Sequence, residues 1–176
     1  MNPRPNRLRK LVLITAVLSG LALAGVAVAS GLFREAREAT AAYHDVEAAI
    51  EAGYALRLAD LSGATCIEQP GEGGMGVHMV NTSLLDGTIE ERRPEAMVYA
   101  ESPNTGRLKL VAVEYVVFQD AWEGSEPPAL FGREFDFVGE GNRFGLPPFY
   151  ALHAWIWRSN PSGMLYAWNP RINCGD

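Results

Sequence analysis

Arg107–Phe118 reads RLKLVAVEYVVF, and the reading of that stretch decides the fold. β-Branched and aromatic residues dominate it. Alternation puts Leu108, Leu110, Ala112, Glu114, Val116 and Phe118 on one face and Val111, Val113, Tyr115 and Val117 on the other. Two apolar faces predict a central strand, covered on both sides. Glu114 is the misfit. A buried carboxylate without a partner costs several kcal/mol or takes up a proton, so the strand predicts a compensating group at Glu114. An arginine ion pair is the simplest; a histidine, a tyrosine hydroxyl or a metal ion would also serve.

Working outward, Ser102–Gly106 (SPNTG) has hairpin-loop composition, and Glu95–Ala100 (EAMVYA) supplies a second strand. Asn81–Pro94 is polar and turn-rich, with Asp86-Gly87 as a tight-turn signal. Ahead of it, GATCIEQPGEGGMGVHMVN feeds a short strand, Val77–Val80, from a glycine-rich segment. This is no phosphate loop, because the lysine of GxxxxGK[ST] is missing. Glycines let a backbone approach another group closely. Two readings of His78 follow: a residue beside a ligand, or a core histidine at a hairpin bend. Further upstream, Arg34 to about Ala59 has helical periodicity, with Ala39, Ala42, Tyr43, Val46, Ala49, Ile50 and Tyr54 forming one apolar stripe. Gly53 either ends or interrupts that helix, and His44 falls on its polar side.

On the other side of the central strand, Gln119–Phe149 reads as a long loop with Pro127-Pro128 and Pro147-Pro148, and Phe135–Val138 has the look of a further short strand within it. A loop of this length in a compact domain is a lid, a binding loop or an unrecognised element. Tyr150–Arg158 then returns as a strand, with His153, Trp155 and Trp157 on one face, and the chain turns at Asn160-Pro161-Ser162-Gly163.

The first 29 residues read as an address. Arg4, Arg7, Arg9 and Lys10 precede an apolar run, Leu11–Val28, and Ala27-Val28-Ala29 is a small-x-small cleavage pattern. Residues 1–29 are therefore expected to be a signal peptide, with an uncleaved anchor as the alternative given the length of the apolar run. Residues 30–176 are expected to form a single exported domain, extracellular or in the cell envelope. Loss of the four basic residues takes the net charge from −6 to −10. Such a surface argues against nucleic acid and against anionic membrane lipid as partners. The two cysteines, Cys66 and Cys174, form an even pair in an exported chain and predict one disulfide.

Three predicted strands each present one unusual polar side chain: His78, Glu114 and His153. Two imidazoles and one carboxylate form a common ligand set for a divalent ion, zinc or iron, and one cation would satisfy three awkward groups together. His44 is a further candidate ligand. Nothing local such as HExxH fixes this arrangement, so it requires the strands to converge. No GxSxG occurs, which removes the usual serine-nucleophile reading.

Gly76–Asn81 (GVHMVN), Arg93–Tyr99 (RPEAMVY), Val113–Tyr115 (VEY), His153–Trp157 (HAWIW), Asn160–Met164 (NPSGM) and Trp168–Pro170 (WNP), with Ala39–Tyr54 upstream, resemble a group of exported bacterial proteins of uncharacterised function. The resemblance spans nearly all of residues 30–176 and implies export but no particular chemistry. The sequence thus predicts an α+β domain: an N-terminal helix on a mainly antiparallel sheet or partial barrel, tied by Cys66 to Cys174. The functional expectation is a metal-ion or small-ligand binding module centred on His78, Glu114 and His153. The alternatives are a metal-dependent enzyme using the same residues with 119–149 as its lid, and a structural envelope protein with no site.

Overall fold

The computed structural model describes residues 31–102 and 104–175. The proposed signal peptide or anchor, 1–29, lies outside them. The chain divides into two compact units, Met1–Arg34 and Glu35–Asp176. In the first, the described residues 31–34 are helical or turn. Among the described residues no helix is long and apolar enough to cross a membrane.

The second unit is α+β, and its centre is a seven-stranded sheet. The strands are β1 (Leu56–Arg57), β2 (Cys66–Gln69), β3 (Gly73–Val80), β4 (Ala96–Glu101), β5 (Leu108–Phe118), β8 (Asp136–Val138) and β9 (Phe149–Ala154). Their order is β1-β3-β4-β5-β9-β8, with β2 also on β3, and all of these pairings are antiparallel. The sheet is open among the described residues, so the partial-barrel alternative gives way to a plain sheet. Two further strands, β6 (Ala129–Leu130) and β7 (Arg133–Glu134), form a separate small hairpin. The strand read from RLKLVAVEYVVF sits at the middle, paired with β4 and β9.

The single helix expected over 34–59 is instead three short pieces: α1 (Arg34–Thr40), a 3-10 turn (Ala41–His44) and α2 (Val46–Glu51). Asp45 causes the second start, because its extended backbone and side chain cap α2 by accepting from the Glu47 N–H. Thr40 bends its oxygen back to the Ala36 carbonyl at 2.7 Å, a local bond that competes with helix continuation. Gly53 then ends the helical segment at φ +99°. Helix and sheet meet on the sheet face opposite Glu114, where the Tyr99 hydroxyl donates to the Tyr43 carbonyl at 2.7 Å.

The face bearing Glu114 is covered by irregular chain. At one end Ile172 of the C-terminal segment packs with Val98, Ala100, Val111, Ala112 and Trp155. Asn169 exchanges backbone hydrogen bonds with Gly74 at 3.0 and 3.2 Å, and the expected disulfide joins Cys66 to Cys174. A Cβ at Gly74 would lie 2.6 Å from Ile172 Cγ2, and one at Gly76 would lie 2.6 Å from the Tyr99 carbonyl. Gly73, Gly74 and Gly76 are therefore glycine because the chain's C-terminal segment and β4 press against them, which removes these glycines as a sign of a ligand beside His78. At the other end of this face lie Phe144, Leu146 and Phe149. Arg143 ties that part of the 119–149 segment to the loop before β2, through Asp60 at 2.9 Å, and to β2 itself, through the Glu68 carbonyl at 3.0 Å. Phe135–Val138 does contain a strand, shorter than expected and at the sheet edge.

Candidate metal centre

Register explains how the three singled-out residues meet. Glu114 on β5 is directly opposite His153 on β9 and opposite Ala96 on β4. Ala96 in turn faces Val80 on β3, and His78 lies two residues along that strand, opposite Val98. All share one face of the pleat. Glu114 and His153 are thus cross-strand neighbours, whereas His78 must reach Glu114 across β4, two strand spacings of about 4.8 Å each. Between them stand Ala96, opposite Glu114, and Val98, opposite His78.

The three side chains are buried, His78 at 1% exposure, Glu114 at 6% and His153 at 2%. His153 Nδ1 stands 3.1 Å from Glu114 Oε1, and His78 Nε2 stands 3.4 Å from Glu114 Oε2. The two Nε2 atoms are 3.2 Å apart. His153 is held by Trp155, whose ring stacks on the imidazole at 5.7 Å between centroids, and Trp155 is itself fixed by its indole N–H donating to the Tyr166 carbonyl at 2.6 Å. The partner of Glu114 is therefore a histidine pair, as the grouping of His78, Glu114 and His153 expected, and the arginine alternative gives way.

The charge states follow from the surroundings. Burial pushes the His78 imidazole down to about 4, with His153 acting in the same direction and Glu114 against it. For Glu114 burial acts upward, but His153 and then His78 more than offset it, so the carboxyl lies below its ordinary value. A neutral imidazole and an ionised carboxylate are the forms that ligate metals. His153 Nδ1–H can donate to Glu114 and His78 Nε2–H to His153 Nε2, while the backbone of Gly76 lies on the His78 ring and favours its protonated form.

His78, Glu114 and His153 each offer one ligand atom, all within 4.8 Å of one another, close enough to hold one metal ion. Ligand bonds of about 2.1 Å place neighbouring donors about 3.0 Å apart at right angles and about 3.4 Å apart at the tetrahedral angle. The 3.2 Å and 3.4 Å separations from His78 Nε2 fall in that range. His44 does not join the group. It is exposed at the end of the 3-10 turn, edge-on to Trp157 at 4.4 Å between centroids.

A second buried acid, Glu95, escapes sequence reading. It is 1% exposed and stands just ahead of β4, where its Oε2 accepts the Val116 backbone N–H at 2.9 Å. The β4–β5 ladder ends there because Pro94 gives its carbonyl to the Tyr54 hydroxyl at 3.0 Å. Burial drives the Glu95 carboxyl up to about 8, against the pull of the Val116 N–H. Pro94 lacks an N–H but keeps its carbonyl, so the proline just before the strand gives no sign in the sequence that the Val116 N–H takes a side-chain acceptor.

No protein-family model, characterised protein or solved structure matches this chain.

Proposed function

We propose that this is an exported protein that binds one divalent metal ion, zinc or iron, through His78, Glu114 and His153. The observation that carries the reading is the convergence of two imidazoles and one carboxylate from three strands at mutual distances suited to a shared ion. The Cys66–Cys174 disulfide supports export, since such bonds persist in oxidising compartments, and so does the basic-then-apolar N-terminal sequence.

Protein purified without a histidine tag and titrated calorimetrically with Zn2+ or Co2+ should take up one equivalent. His78→Ala, Glu114→Gln and His153→Ala should each weaken uptake by more than the roughly 10–100-fold that loss of a merely supporting residue costs. Equal uptake by wild type and all three variants would overturn the proposal.

A metal-dependent enzyme using the same residues is the second reading. It is favoured by a small cavity that reaches His78 and Glu114 beneath Phe144, Leu146 and Phe149, since three protein ligands leave an open position on the ion. Turnover by the Zn2+-loaded form that is absent from Glu114→Gln would distinguish it from simple binding.

A further inference from the structure

The cavity beside the trio has an unusual lining. Its walls are apolar, among them Leu56, Val116, Phe118, Phe144, Leu146 and Phe149, and among the described residues the polar side chains lining it are His78 and Glu114. Its free volume is about 100 Å³, and roughly 10–15 Å³ of such space holds one water-sized body. A short chain or small ring fits.

Any molecule entering this space finds a single polar anchor at its inner end. A divalent ion held by one carboxylate and two neutral imidazoles carries one surplus positive charge, in a pocket that offers no other charged or hydrogen-bonding side chain among the described residues. The complementary guest has one anionic oxygen donor for the ion's open position and an apolar remainder for the walls. Sugars, nucleotides, peptides and dicarboxylates do not meet that description, because their further polar groups would be buried without partners.

Resting on the metal-binding reading above, we infer that the loaded protein takes monocarboxylates with a short apolar tail: the carboxylate completes the coordination of the ion, and the tail lies among Val116, Phe118, Phe144, Leu146 and Phe149. Leu56, 49% exposed, also lines the space, which places part of the wall at the molecular surface. Specificity would then come from tail length, since each methylene transferred from water to apolar walls tightens binding by roughly fourfold.

The test uses the full secreted protein loaded with Co2+, whose visible spectrum reports ligand exchange at the ion. Uptake of Co2+ is measured first, by calorimetry, and acetate, butyrate and hexanoate are then titrated in. The expected result is a spectral change with all three acids and affinity rising more than tenfold from acetate to hexanoate. Leu146→Glu, which places a charge in the roof, should still take up Co2+, since Leu146 is no ligand of the ion, and should lose the preference for hexanoate over acetate. If Co2+ is taken up but the three acids bind equally or not at all, the tail site is wrong and the metal site stands. A hexanoate preference that survives in Leu146→Glu also overturns the tail site. If Co2+ is not taken up, both readings fall.

Discussion

Glu114 and Glu95 are buried carboxylates beside neighbouring strands, and they hold opposite protonation states. Glu114 has two imidazoles against it and stays ionised. Glu95 has the Val116 N–H and its own backbone N–H, too little to offset its burial, and keeps its proton until about pH 8. An acid whose folded pKa is raised stabilises the fold fully below its unfolded pKa and loses that contribution as pH climbs through the folded value. For Glu95 the loss runs from about 4.5 to about 8. His78 has its folded value depressed from 6.5 to about 4, so its contribution is complete above 6.5 and is lost on acidification. The two slopes offset one another below pH 6.5, and that of Glu95 stands exposed above it. At about 1.4 kcal/mol per pH unit, chelator-treated wild type should lose roughly 2 kcal/mol between pH 6.5 and 8 in urea denaturation. Glu95→Gln keeps an acceptor for the Val116 N–H but cannot ionise, and should show no such loss; parallel curves for the two proteins would refute a protonated Glu95. Of these two acids the sequence exposes only Glu114, because it breaks an apolar alternation. Glu95 follows Arg93-Pro94 and precedes apolar residues, the ordinary dress of a polar turn ahead of a strand, and its burial depends on the Tyr54 hydroxyl claiming the Pro94 carbonyl forty residues away.

Elements show the same division between what is local and what is not. The central strand and its hairpin partner are legible from alternation and the intervening turn, and they occur within a residue or two of their expected bounds. The helical segment is not, because apolar spacing says nothing of Asp45 starting a new helix within it. Glycines in the segment leading into β3 are legible as close approach, but not what approaches. Gly73 and Gly71 separate the two causes of glycine. Both have positive φ, +102° and +85°, and both should pay about 1 kcal/mol on substitution by alanine. Only Gly73 is pressed by the C-terminal segment, where a Cβ would stand 2.5 Å from Pro170 Cα, while Gly71 has open space. Gly73→Ala should therefore cost roughly a further 1–3 kcal/mol of stability, typical of overpacking, and lower the melting temperature distinctly more than Gly71→Ala. Equal effects in thermal denaturation would mean that the Asn169–Ile172 contact yields easily.

For the molecule as a whole, the disulfide closes a loop of 108 residues that contains most of the sheet. Such long loops gain the most from closure in the chain-entropy account, and removal of a native bridge costs about 2–5 kcal/mol. The Cys66→Ser/Cys174→Ser double variant should shift its urea midpoint down by a corresponding amount while keeping near-wild-type circular dichroism, because Gly74–Asn169 pairing and Ile172 burial still hold the C-terminal segment. An unchanged midpoint would show that those contacts suffice alone. Architecture at this scale was legible as class and covalent tie, α+β with one bridge. Strand order was not, since no residue pattern announces that β9 returns to β5 while β4 occupies the opposite edge of that strand.

That order also sets when the trio can exist during synthesis. His78 and Glu114 belong to consecutive hairpins and can come together as soon as β5 folds back on β4, but His153 arrives only after the entire proline-rich excursion has been made and β9 has docked. A growing chain halted ahead of Phe149 would present two of the three groups and no more. An ion that demands all three would therefore serve as a seal of completion, retained by finished molecules and released by those cut short.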